Sequence, residues 1–240
     1  MTDSIYLRLA GPLQSWAGPA VTGNIVHTER FPTRSALIGL IAGALGARRG
    51  DWPEWLNTIE FSVRQDKEPR IVDDFHTINP RPEASQFRRR LLIAERGKAR
   101  GDKALVFTPD AQGGTSLVNR TYLADGVFVV SVTSREHIDE LEDALSSPKF
   151  VSYLGRKAFS PTFPYYLGRG ASDFIDKLPV VVRSKSQNDA ASIKVDKRVY
   201  SGNGLGLQRR LSVEVPTVPS LEEQLAVIKE NLDIRRVITA

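Results

Sequence analysis

The tract from residue 79 to 117 limits the fold more than any other part of the chain. It holds Pro80, Pro82, the run Arg88-Arg89-Arg90 and several glycines. Proline removes a backbone donor, glycine is costly to order, and consecutive guanidinium groups have no place in an apolar interior. Such a composition predicts an exposed excursion, a long basic hairpin or loop. The core must therefore come from the segments on either side.

Those segments carry clear periodicities. Residues 5–10 alternate apolar and polar and stop at Gly11-Pro12, the pattern of a half-buried strand entering a turn. Residues 33–47 place Leu37, Leu40, Ile41, Ala44 and Leu45 at helical spacing. Pro32 or Thr33 stands where a first-turn or N-cap residue belongs, and Gly43 and Gly46 permit close packing or a C-terminal stop. Residues 59–64 and 70–78 predict a strand pair around the polar turn Lys67-Glu68-Pro69. Beyond the excursion, 120–123 and 127–132 resume strand character and 136–145 reads as an acidic amphipathic helix. Residues 150–170 are dense in Gly, Pro and aromatics, which predicts irregular backbone held by ring packing. Short strands at 180–183, 192–195 and 210–215 and a helix at 221–232 complete the chain. Gly202, Gly204 and Gly206 lie in a turn that fits neither a phosphate loop nor a dinucleotide fingerprint.

The net charge of +5 is modest for 240 residues, so its distribution matters more than its size. Residues 81–103 hold eight Arg or Lys against three acids, a balance of +5 that matches the whole surplus. Residues 149–210 add twelve basic residues against four acidic ones, while residues 134–147 carry five acids. Segregation of this kind suggests a polyanion on one side, because phosphate neutralisation with counterion release is a main source of nucleic-acid affinity. Solvated charge runs are the plainer alternative. The chain has no cysteine, which excludes disulfides, thiolate zinc sites and thiol nucleophiles and suits a reducing cytoplasm. No apolar stretch reaches the roughly 20 residues needed to span a bilayer, and residues 1–4 do not open a signal peptide. A cytoplasmic protein with no membrane contact is expected.

Three stretches carry a resemblance. Leu9-Ala-Gly-Pro-Leu-Gln-Ser-Trp16 with Arg30-Phe-Pro-Thr-Arg-Ser-Ala-Leu-Ile-Gly-Leu40, then Asp74-Phe-His-Thr77, then Tyr153-Leu-Gly-Arg-Lys157 through Tyr166-Leu-Gly168 resemble, in order, motifs of the CasD family. This is the RAMP-type subunit of type I-E Cascade, family five of the CRISPR-associated proteins. The resemblance covers roughly the first 170 residues. It implies an α+β fold: a ferredoxin-like, RRM-related RAMP domain (1–79 and 116–170), a protruding basic thumb (80–115) and a smaller C-terminal β-rich extension with a terminal helix (171–240). It also implies a non-catalytic, cofactor-free subunit that grips the 5′ handle of the crRNA. Its implied partners are the CasC backbone, the CasA large subunit, CasB and CasE, with target DNA reached through the complex.

The same residues have a physical reading. Arg30, Thr33, Arg34 and Ser35 lie at the start of the predicted helix, where free N–H groups and the positive dipole end favour phosphate. For Thr33 and Ser35, simple capping stays open. Gln14 and Trp16 sit in a loop where an amide can read a base edge and an indole can stack, although core packing is the commoner fate of a tryptophan. Gly155 lets the backbone approach phosphate beside Arg156 and Lys157, and Tyr153 offers a stacking ring or an anchor for the loop. Arg88, Arg89 and Arg90 on an exposed thumb can face RNA and a neighbouring protein at once. His76, among acids, invites a general-base or metal reading, but His27 and His137 have no ligand spacing to it, so an RNA contact or structural bond is favoured. Two rivals remain: a metal-independent endoribonuclease processing pre-crRNA, which lacks a compact Tyr, Lys and His cluster, and a stand-alone RRM-like binder, which lacks the aromatic RNP signature.

Overall fold

A computed structural model describes residues 2–17, 25–78, 116–182, 191–202 and 208–234. The tract expected to form the thumb, with Arg88, Arg89 and Arg90, lies outside the described residues, as does the glycine turn at 203–207. The chain divides into two compact units, one of residues 1–18, 28–71 and 123–240, the other of 19–27 and 72–122.

The first unit is built on a seven-stranded sheet. Its strands are β1 (Asp3–Ala10), β4 (Glu60–Lys67), β7 (Val127–Thr133), β8 (Tyr166–Ala171), β9 (Val180–Val181), β10 (Ser192–Tyr200) and β11 (Gln208–Val218), in the order β8-β1-β7-β4-β10-β11-β9. Every neighbouring pair is antiparallel except β11 with β9. Helix α1 (Arg34–Leu45) follows β1 and helix α2 (Ile138–Ser146) follows β7, and both pack on one face of the sheet. There Ile5, Leu7 and Leu9 meet Leu37, Ile41, Leu141 and Leu145 in the larger core. The chain begins α1 at an N-cap, Thr33, whose hydroxyl accepts from the Ala36 N–H at 3.4 Å, and stops it at Gly46. Strands β2 (Leu13–Gln14), β3 (Ile25–Val26), β5 (Arg70–Ile78) and β6 (Ser116–Ala124) form a smaller sheet, with β3 parallel to β6.

The opposite face of the large sheet is also covered, and this corrects the half-buried reading of β1. Tyr6, Val129 and Leu167 pack against Phe174, Ile175 and Leu178 of a 3₁₀ turn (Ser172–Asp176) and its exit. Helix α3 (Leu221–Asn231) adds Ile228, followed by Leu232. The polar residues that made β1 look amphipathic are therefore inside, and each has a partner. Ser4 bonds the Thr133 hydroxyl at 2.6 Å, Tyr6 donates to the Ala171 carbonyl at 2.6 Å, and Arg8 donates to Thr162 Oγ1 at 3.3 Å. Strands β10 and β11 run well past the predicted 192–195 and 210–215, because alternating charge along them hides the apolar face that Val195 and Val215 bury.

Arg64 fixes this second layer. Its side chain is fully buried and forms a bidentate pair with Asp66 at 2.7 and 3.0 Å, and its Nη1 donates to the Ile175 and Leu178 carbonyls. Replacing it strands a carboxylate and two carbonyls. Arg64→Ala should destabilise by about 3 kcal/mol or more, read as a lowered urea midpoint, with the segment around Ile175 becoming the first site of limited proteolysis.

Candidate nucleic-acid interface

The loop leaving β1 is tied down before it reaches any surface. Gln14 is wholly buried: its Nε2 donates to the Leu9 carbonyl at 3.4 Å and the Gly126 carbonyl at 2.8 Å, and its Oε1 accepts from Trp16 Nε1 at 3.1 Å. Trp16 is 1% exposed. The amide and the indole face inward, so their part in a site is to shape the loop that carries them. Trp16 also binds the returning arm, its N–H donating to Thr28 Oγ1 at 2.8 Å and its carbonyl accepting from Glu29 at 2.7 Å. Thr28 is a closing residue that no sequence pattern singles out.

The glycine-rich segment is stitched to this loop from the other side. The Ser15 N–H donates to the Leu154 carbonyl at 3.0 Å, the Leu154 N–H to Phe159 at 2.7 Å, and the Phe159 N–H to Arg156 at 2.9 Å. The result is a tight turn with Gly155, Arg156 and Lys157 at its bend. Gly155 has φ +85°, and a Cβ there would stand 1.5 Å from the Ser15 carbonyl oxygen. Glycine is required twice over, by the left-handed backbone and by the close approach. Lys157 and Tyr153 are exposed at this turn, and Arg156 is half-buried. Behind it, the half-buried Tyr165 turns its hydroxyl inward beside Ser152, and loss of water there pushes its phenol well above the ordinary tyrosine range.

At the start of α1 no acid occupies the first turn. Thr33 caps the helix and donates to the Ala17 carbonyl at 3.3 Å, and the exposed Ser35 hydroxyl lies 3.3 Å from it. Arg34 is a clamp: its Nε donates to the Ser201 carbonyl at 3.2 Å and its Nη2 to the Asn57 and Ile59 carbonyls. Burial lowers its guanidinium pKa from the usual value, since its partners are carbonyls and bring no countercharge. Arg30 pairs with Glu68 at 3.3 Å with side chains 62% and 71% exposed. Such a screened pair is worth little and exchanges readily for a phosphate.

The hydrogen bonds thus join three of the four predicted clusters: the Gly155 turn touches Ser15, the next residue Trp16 holds Glu29, and Arg30 leads into the capped helix. His76 lies on β5, with its side chain outside the described residues. No group of three or more His, Asp or Glu able to hold a metal occurs among the described residues, and no described helix is long and apolar enough to cross a membrane.

A surface of cations carried on loops around a sheet with both faces covered is the setting in which the family assignment falls. Residues 4–209 match the family model described as CRISPR-associated protein (Cas_Cas5), and the chain belongs to that family. It is 33% identical over 173 residues to the CRISPR system Cascade subunit CasD of Escherichia coli (strain K12), a match covering 66% of this chain and 67% of that one. Its fold is similar to a chain of a solved CRISPR RNA-guided surveillance complex, with TM-score 0.67 and 30% identity over 95% of this chain and 100% of the other. A crystal structure of a Cas protein shares the fold at TM-score 0.57 and 21% identity, covering 90% of this chain and 100% of that one. The motif resemblance and these comparisons name the same family.

Gly155→Ala should lower the melting temperature by several degrees, because the left-handed backbone alone costs about 1–2 kcal/mol and the Cβ forces Ser15 away. Gly43→Ala, in α1 with open space at its Cβ, is the matched control and should leave stability unchanged or raise it by about 0.5–1 kcal/mol.

Proposed function

We propose that the chain is a non-catalytic, RNA-binding subunit of a Cascade-type surveillance complex that holds the 5′ handle of the crRNA. The observation that carries this reading is where the cations stand. An RRM-type platform binds RNA on the sheet face opposite its helices, and here that face is filled by residues 167–178 and α3. Arg30, Ser35, Tyr153, Arg156 and Lys157 instead sit on the loop rim, with Gln14, Trp16, Thr33, Arg34 and Gly155 holding that rim in shape. Single-stranded RNA suits such a rim, because its backbone can follow a loop path and its bases can be splayed against a ring such as Tyr153.

The order β8-β1-β7-β4, with α1 after β1 and α2 after β7, supports reading this half of the first unit as a ferredoxin-like, RRM-related domain. Residues 80–115, between β5 and β6, are then the basic thumb. On it Arg88, Arg89 and Arg90 reach both RNA and the adjacent CasC subunit, with His76 at its base. CasA, CasB and CasE complete the assembly, and target DNA is met through the complex in the cytoplasm. Similarity to CasD supports binding over endoribonuclease activity. Incubating the purified chain with pre-crRNA in chelator tests this, with uncut RNA expected.

Co-expression with the other Cascade subunits and a guide array, followed by pulldown on this chain and sequencing, is the direct test. Guides sharing one constant 5′ end should come down together with CasC; recovery of neither overturns the assignment. Within a binding complex, Arg30→Ala and Lys157→Ala should each weaken RNA about fivefold, roughly 1 kcal/mol, and reduce the salt slope by about 0.7 per lost phosphate contact, with stability unchanged.

A further inference from the structure

The C-terminal hairpin places two like charges face to face. In the β10–β11 register Arg198 stands directly opposite Arg210, between the pairs Asp196 with Ser212 and Tyr200 with Gln208. Like charges in this relation repel, so the pair weakens the hairpin unless an anion lies between them. Arg198 is nevertheless held in place. Its Cζ sits 4.0 Å from the centroid of the Phe31 ring, which is itself buried against Phe128. The Gln208 side-chain oxygen, in the amide orientation that satisfies both groups, accepts from Arg198 Nη1 and Nε at 3.1 and 3.2 Å. The Tyr200 hydroxyl, which donates to the Pro32 carbonyl at 2.8 Å, is also within its reach.

All these partners are neutral. Among the described residues no carboxylate comes within ion-pair distance of Arg198 or Arg210. A guanidinium that is oriented but not neutralised is preorganised for an external anion. The two arginines line a pocket of about 300 Å³ with Phe31, Asp196, Leu211 and Ser212. Asp196, the acid on its described wall, forms an ion pair with neither arginine. Lys197, also on its wall, is already engaged by Asp176 at 2.5 Å. The pocket stands beside the first turn of α1, since Tyr200 reaches Pro32 and Arg34 reaches Ser201.

We propose that this pocket is a phosphate site for the backbone of the bound RNA, extending the RNA path from the α1 start onto the C-terminal hairpin. The inference rests on the RNA-binding reading above, but it assigns a role to a region outside every motif that carries that reading. Because a phosphodiester has no base identity, the contact adds affinity without sequence preference. The anion also removes the repulsion that the empty pair imposes.

The test uses the full chain and a fluorescein-labelled single-stranded RNA of 20 nucleotides, with binding read by anisotropy across a KCl series. The double variant Arg198→Gln/Arg210→Gln should bind about tenfold or more weakly, with the salt slope reduced by about 1.4, as expected for two lost contacts. Arg210→Glu separates binding from folding. It sets a carboxylate opposite Arg198, so its melting temperature should hold or rise while RNA affinity falls at least as far. If the wild-type chain binds RNA and both variants bind it equally well, the site is wrong and the broader reading stands. If the wild-type chain does not bind RNA, both fall.

Discussion

The approach of the Gly155 backbone to the Ser15 carbonyl is the contact on which the rim of this protein depends. With a Cβ only 1.5 Å from that oxygen, no other residue fits, and the turn it allows is closed by bonds from Ser15 and Leu154. Ser15 in turn lies between Gln14 and Trp16, whose side chains bond each other at 3.1 Å inside the core. One tight backbone contact therefore fixes two loops far apart in sequence. The cations they carry need not be individually ordered, because the frame under them is.

The second constraint is the layer over the far face of the sheet. An isolated four-stranded sheet backed by α1 and α2 would leave Tyr6, Val129 and Leu167 in water. The C-terminal residues cover them, with Arg64 bonding the carbonyls of Ile175 and Leu178. Gly168 admits Leu232 and Asp233 against β8, where Arg169 and Asp233 exchange backbone bonds at 2.9 and 2.8 Å. Part of the glycine-rich motif thus serves the docking of the tail. The fold gives up its broad sheet face and gains stability, which leaves loops and edges as the surfaces open to a ligand.

Local patterns revealed the elements but not their environments. The spacing of Leu37, Ile41 and Ala44 marks α1, and the strand runs before and after the excursion match the observed strands to within a few residues, but 59–64 and 70–78, expected to pair, join different sheets instead. Alternation at 5–10 suggested one wet face. Period two reports a difference between faces but cannot say that a distant segment will bury the polar one and satisfy it. The same blindness affected the site. Gln14 and Trp16 had the right chemistry for a base, and what decides their use is Leu9, Gly126 and Thr28, groups brought close only by the fold. Arg198 and Arg210 lie twelve residues apart across a hairpin register, so nothing local marks them as a pair.

Charge counted along the chain is equally incomplete, because a basic residue matters to a polyanion only if the fold has not already used it. Arg169 is held by Asp3, Asp139 and Glu142 at 3.0, 2.6 and 3.2 Å, which raises its pKa further above an already high value. The same network absorbs part of the acidic helix, since Glu142 is 2% exposed and also accepts from Tyr166. Lys177 and Lys197 are engaged by Asp173 and Asp176. Among the described residues of the basic segment 149–210, Lys157 at the glycine turn and Arg198 on the hairpin are cations that form no ion pair. Their value lies in that lack. A guanidinium or ammonium held by carbonyls and rings keeps its full field, whereas one in an ion pair must first lose a carboxylate before it can gain a phosphate.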